Sequence, residues 1–164
     1  MSTNATIAVT NGVMCKAVYL HWDGYLSWAG VMLHDYYATP EKVEQLISLG
    51  ALSSIRERLE PAFGEYHTFE NPMEDVTIAY HRDRDEPLEI HTFPDLSLMG
   101  DKIFIKRLAQ ISDGNYVYLF DTRKGQWFVS VTGYFLDDEK AAVPDAKPFV
   151  LYPLKAWFKE AEAK

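Results

Sequence analysis

Alternating apolar positions open the chain. Ile7 and Val9 alternate with smaller residues, Asn11-Gly12 follows, and a second alternating run covers 13–22. Asn-Gly accommodates the positive φ angles of a two-residue type I′ turn, so the pattern predicts a β-hairpin with Val9 opposite Met14. One face of the second strand then carries Val18, Leu20 and Trp22, and the other carries Cys15, Ala17, Tyr19 and His21. After Asp23-Gly24 the period lengthens from two to about 3.6. Tyr25, Trp28, Ala29, Met32, Leu33, Tyr36 and Tyr37 share one stripe of an amphipathic helix. Asp23 is placed to cap that helix and Gly24 to turn the backbone out of the strand.

Thr39-Pro40-Glu41 is a helix-start signal, with Val43, Leu46 and Ile47 facing inward and Gly50 closing the helix. Ser53 or Ser54 caps a short third helix containing Ile55 and Leu59, which Pro61 ends. Residues 61–75 read as a loop, 76–81 as a strand, and the charged run 82–87 as a turn or exposed extension. Between 88 and 112, Leu96, Met99, Ile103, Leu108 and Ile111 fit helix or strand equally. A second hairpin pairs 116–120 with 127–131 across a turn containing Gly125. An acidic loop at 137–148, a short strand at 149–152 and a terminal helix starting at Pro153, with Leu154, Trp157, Phe158 and Ala161 on its apolar stripe, complete the chain. Helices are inserted between hairpins rather than alternating with strands. The class is therefore α+β: a mainly antiparallel sheet from two or more β-hairpins, a helical insertion at about 25–60 and a C-terminal helix, in a single domain over 1–164.

Composition narrows the functional classes. Sixteen Lys and Arg stand against 24 Asp and Glu, a net charge of −8 that opposes direct nucleic-acid binding and an anionic membrane surface. The same acidity suits a protein that occupies a basic site on another protein. Cys15 is the single cysteine, so no internal disulfide or paired-cysteine zinc site is available. The opening Met-Ser-Thr-Asn has no basic flank or apolar run, and no stretch reaches the roughly 20 apolar residues of a membrane span. The expectation is a cytoplasmic protein with no membrane segment.

Three sets of residues carry candidate chemistry. His81, Asp83 and Asp85 alternate, and on an extended strand they would present an imidazole and two carboxylates to a divalent metal. The interleaved Arg82 and Arg84 oppose that use. His21 and Asp23 share a strand face if the strand continues, which would let the carboxylate orient the imidazole for general-base work. Cys15 and His21 are three same-face positions apart, roughly 20 Å at the usual strand rise, too far for a thiol–imidazole pair. Phosphate-binding, dinucleotide and nucleophile-elbow motifs are absent from the sequence, so no cofactor is implied and a non-enzymatic role is favoured. The aromatic surplus at Tyr19, Trp22, Tyr25, Trp28, Tyr36 and Tyr37 suits a core first and a protein interface second. Tyr19, His21, Asp23, Tyr25, Arg82 and Arg84 are the candidate binding residues.

Tyr19-Leu20-His21-Trp22-Asp23-Gly24-Tyr25 resembles the leading motif of a family of small, uncharacterised bacteriophage and prophage proteins. The segments from Val43 to Gly50 with Leu52-Ser53-Ser54, from Ala79 to Arg84, and from Tyr116 to Asp121 followed by Trp127 resemble later motifs of that family, in order. Leu26 departs from a position where the family often has Pro, and His81 from one where Gly is frequent. The resemblance implies a phage accessory protein acting in the host bacterial cytoplasm, and supplies no catalytic residues. The expected function is binding that inhibits or redirects a bacterial host protein such as a nuclease or immune complex. The alternatives are a metal-dependent hydrolase or nuclease using His81, Asp83 and Asp85, and a nucleotide second-messenger binder with Arg82 or Arg84 on phosphate. A homo-oligomer is left open.

Overall fold

The computed structural model describes residues 3–113, 116–131 and 147–162. The first hairpin joins β1 (Ala5–Thr10) to β2 (Met14–Leu20), antiparallel, with Thr10 opposite Cys15 and Val9 opposite Lys16. The expected two-residue turn is instead a four-residue loop. Asn11 organises it: its side-chain oxygen accepts from the Val13 and Met14 amides at 2.9 Å each, and Gly12 takes a φ of +92°. The register therefore moves by two residues, which keeps Val9, Val18 and Leu20 together on the expected core face.

The first helical region begins with a turn of π-helix, Leu26–Gly30, before α1 (Val31–Tyr36). The wider turn rotates the stripe. Leu26, Ala29, Met32, Leu33 and Tyr37 are buried, whereas Tyr36 is exposed and Tyr25 and Trp28 only line the edge of the core. Asp23 makes no side-chain cap. α2 (Pro40–Ile47) starts as expected, with the Thr39 hydroxyl accepting from the Lys42 amide at 3.3 Å.

The expected third helix, with Ile55 and Leu59, does not form: 55–60 are irregular, and its expected cap residues lie in a strand, β3 (Leu52–Ser54). Backbone pairing prevails over serine capping there: the His21 and Trp22 amides donate to the Leu52 and Ser53 carbonyls at 3.0 Å. The expected strand at 76–81 shortens to β4 (Ile78–Ala79) and then turns into the helix α3 (Tyr80–Arg84). The ambiguous region resolves into β5 (His91–Pro94), a 3₁₀ turn at Ser97–Met99 and α4 (Asp101–Ser112). β6 (Tyr116–Asp121) and β7 (Gln126–Val131) form the second hairpin. β8 (Tyr152–Pro153) is shorter than expected and leads into α5 (Leu154–Glu162). The acidic loop lies almost wholly outside the described residues.

The sheet runs in the order β4-β3-β2-β1-β6-β7-β8, with β5 added to the Met14–Ala17 half of β2. It is mainly antiparallel; the β1–β6 and β2–β3 pairs are parallel. α1, α2 and α5 cover one face through Ile7, Val18, Leu20, Leu33, Leu46 and Trp157. α4 covers the other through Phe104, Ile105 and Leu108 against Ala8, Ala17 and Val117.

Gly24 has a different role from the one expected. Asp23, not Gly24, carries the left-handed backbone, at φ +58°. Gly24 is needed for space: a Cβ there would lie 2.7 Å from the Thr3 carbonyl oxygen and 2.8 Å from the Ala5 Cβ. Its amide donates to Thr3 at 2.8 Å, and its carbonyl accepts from the buried Tyr118 hydroxyl at 2.7 Å. Gly24→Ala should therefore destabilise the fold by about 1–3 kcal/mol, the cost of overpacking a fixed backbone contact. Urea denaturation would measure this, and an unchanged midpoint would refute the close-approach argument.

Candidate binding surface

The end of β2 carries its alternation into the junction. Tyr19 and His21 point to the same side, and the Tyr19 hydroxyl hydrogen-bonds the His21 Nδ1. The His21 ring stands edge-on to Trp22, with centroids 4.6 Å apart and an interplanar angle of 89°. Trp22 is 43% exposed, a large fraction for an indole held by neighbouring rings. The side chain expected in the core is therefore at the surface. Partial burial, and then the neighbouring Tyr80 phenol, pushes the Tyr19 hydroxyl up from its ordinary value.

Tyr80 belongs to a second aromatic group. Its amide donates to the Ala51 carbonyl at 3.1 Å, which holds the start of α3 against the β3 end. Phe69 packs on the Tyr80 ring at 5.7 Å, and the Arg84 guanidinium lies 4.4 Å over Phe69 and 4.9 Å over Tyr80. Glu86 pairs with the Arg84 Nε. Tyr19, His21 and Trp22 thus form one aromatic group, and Phe69, Tyr80 and Arg84 a second.

The other candidate residues separate. The left-handed turn at Asp23 ends the strand alternation, so the expected His21–Asp23 pair does not form. His21 bonds Tyr19, and Asp23 accepts from the Tyr25 hydroxyl at 3.3 Å. Tyr25 is raised by burial and then by the Asp23 carboxylate beside it. Arg82 is a framework residue: it donates to the Leu59 and Thr77 carbonyls at 2.6 Å each and to Asp83 at 2.9 and 3.0 Å. That leaves little of its guanidinium for a phosphate.

The expected alignment of His81, Asp83 and Asp85 depended on a strand, and the chain is helical there. His81 is exposed and its Nδ1 donates to the Glu86 carbonyl at 2.7 Å. Asp85 takes a left-handed conformation at the end of α3. Asp83 turns inward, its side chain 5% exposed. Among the described residues no group of three or more His, Cys, Asp and Glu side chains is arranged to hold a metal.

Asp83 has a partner that sequence spacing gave no means of finding. His67 is buried beside it, with Nε2 3.3 Å from the carboxylate, although not aligned for a hydrogen bond. The His67 Nδ1 accepts from the Met73 amide at 2.9 Å, which places the ring hydrogen on Nε2. Arg56 donates to the Met73 and Glu74 carbonyls, and Arg58 binds Asp75 and Glu65. These cations shape the irregular 56–77 segment and bring Phe69 to Tyr80 and Arg84.

No family model, curated protein or solved structure matches the chain.

Two predictions follow from these charges and burials. Burial pushes the Asp83 carboxyl up, but the Arg82 hydrogen bonds, the Ala79 amide and the Arg82 charge outweigh it and hold the group below its ordinary value. Its stabilising contribution is thus complete above the unfolded value of about 4 and is lost as pH falls through the lower folded value. Asp83→Asn should cost about 2–3 kcal/mol at pH 7 and progressively less at more acid pH; thermal melts showing a pH-independent difference would contradict this. Burial, and then the Asp95 charge, pushes the Cys15 thiol up to about 12. Native protein at neutral pH should therefore resist a thiol reagent that labels the urea-unfolded chain at once, and equal labelling rates would refute it.

Proposed function

We propose that this protein works by binding rather than by catalysis, as a phage-encoded accessory protein that docks on a bacterial host protein. The phage origin rests on the Tyr19–Tyr25 motif, and a nuclease or immune complex is the kind of target that such an origin suggests. The observation that carries the binding reading is the exposed Trp22, backed by His21 and Tyr19; Phe69, Tyr80 and Arg84 form a second group of the same residue types. Trp, Tyr and Arg dominate the energetics of protein interfaces, because they combine large apolar area with a directed polar end. Here their orientations are fixed in advance by ring packing and by the β2–β3 hydrogen bonds, which lowers the entropy cost of docking.

The metal-dependent alternative loses its basis with the inward turn of Asp83. The second-messenger alternative loses Arg82 to the framework and keeps Arg84 alone for phosphate.

Affinity capture from bacterial lysate should recover a host protein with the wild-type chain and lose it with a Trp22→Ala, Arg84→Ala variant of unchanged circular dichroism. Against the purified target, Trp22→Ala alone should weaken binding by about 2 kcal/mol or more, roughly 30-fold in Kd. Recovery of no specific protein, or equal recovery by the double variant, would overturn this reading.

A further inference from the structure

The segment between β3 and β4 concentrates the negative charge of the chain. From Arg56 to Asp75 six carboxylates stand against two guanidinium groups, half of the net charge of −8. Both arginines are engaged internally: Arg56 donates to the Met73 and Glu74 carbonyls, and Arg58 binds Asp75 and Glu65. Glu60, Glu70 and Glu74 are exposed and have no cation partner among the described residues.

The same segment presents an aromatic ring at the corner of a tight turn. The Glu65 amide donates to the Ala62 carbonyl at 3.0 Å, and Gly64 takes a φ of +88°. Phe63 therefore occupies the first corner position of a β-turn, and its ring is fully exposed. Tyr66, directly after the turn, is 77% exposed. A lone exposed apolar residue is ordinary on a protein surface. Phe63 differs in that its backbone is clamped. The Glu65 carboxylate accepts from the Ala62 amide and from Arg58 at 2.7 Å each, and Arg58 holds Asp75 through two further bonds of 2.8 and 2.7 Å. The Arg58 backbone in turn bonds the Asp75 carbonyl at 2.9 Å and the Thr77 amide at 2.8 Å, which ties the clamp to the chain just before β4.

A clamped turn with a solvated phenyl ring at its corner can insert that ring into a pocket without ordering its own backbone first. The surrounding charge decides what it docks on. A nucleic acid or an anionic lipid surface would repel this segment, and a second copy of the chain would bring the same charge face to face. We infer that the Ala62–Glu65 turn inserts Phe63 into an apolar socket on a host-protein surface rich in Lys and Arg. This rests on the binding role of the protein and specifies the surface chemistry of its partner.

The test replaces Phe63 with photoreactive p-benzoylphenylalanine in the full chain, expressed and irradiated in bacteria. The probe should form an adduct with the protein that the wild-type chain captures, and the attached peptide should be net positive. The same probe at Leu98, equally exposed in the Ser97–Met99 turn, should give no such adduct. Against the purified target, Phe63→Ala should weaken binding about tenfold or more with unchanged circular dichroism. A Glu60→Gln, Glu70→Gln, Glu74→Gln variant should show a shallower rise of Kd with NaCl than the wild type. Adducts only with lipid or with a second copy, an acidic attached peptide, or an unchanged salt dependence in the triple variant would each overturn the inference. Undiminished binding by Phe63→Ala, with loss by the Trp22→Ala, Arg84→Ala variant, would overturn it and leave the binding role standing; capture of no protein would remove both.

Discussion

The fold depends on the satisfaction of both edges of β1. All six residues of this strand are buried, and its backbone pairs along its full length with β2 on one side and β6 on the other. A strand so placed leaves no peptide group for water, so its hydrogen bonds and its two packed faces form together or not at all. Ala5, Ile7 and Val9 meet the α1, α2 and α5 layer, while Ala8 meets α4. Thr6 is the polar exception: its hydroxyl donates to the Leu108 carbonyl at 2.8 Å and lies 2.8 Å from the Ser112 hydroxyl, tying the last turn of α4 to the centre of the sheet. The parallel β1–β6 pair requires a long crossover, and that crossover brings α4 across the second face.

The binding surface lies away from this centre, where the sheet ends in short strands. β3 and β4 are three and two residues long, and the irregular segment after β3 is held by arginines rather than by a core. Arg56 and Arg82 reach inward to carbonyl groups, Arg58 bridges two carboxylates, and His67 fills the space beside Asp83. These directional contacts fix Phe69 next to Tyr80 and Arg84 without enclosing their rings. The arrangement separates two requirements: rigidity comes from the packed sheet, and exposed aromatic area comes from a segment whose own stability is polar.

Much of the architecture was legible in the sequence because alternation and helical periodicity record which face is buried. Both hairpins, α2, the terminal helix and the α+β class follow from it. The failures have physical causes. Ser53 and Ser54 have the character of helix caps, but the free edge of β2 offers carbonyl and amide partners that no local pattern reveals, and they join a strand instead. The strand at 76–81 was too long because the helical turn of α3 depends on Asp83 accepting from the Ala79 amide, a contact four residues apart. Trp22 was assigned to the core on alternation alone; the left-handed residue Asp23 turns the chain before the indole is covered. His21 was legible as a candidate binding residue from its place at the strand-to-helix junction. Phe69 and His67 were not, because they arrive through an aperiodic loop whose path is set by pairings such as Arg58 with Asp75, 17 positions apart.

A doubly paired β1 anchors the molecule, while the arginine-held 56–77 segment is expected to open independently of it. Native-state hydrogen exchange tests this directly. The amides of Ile7, Ala8 and Val9 should exchange slowest and only through global unfolding, and those of Arg58, Val76 and Thr77 should exchange through a local opening of lower free energy. Exchange in β1 as fast as in the 56–77 segment would contradict the account.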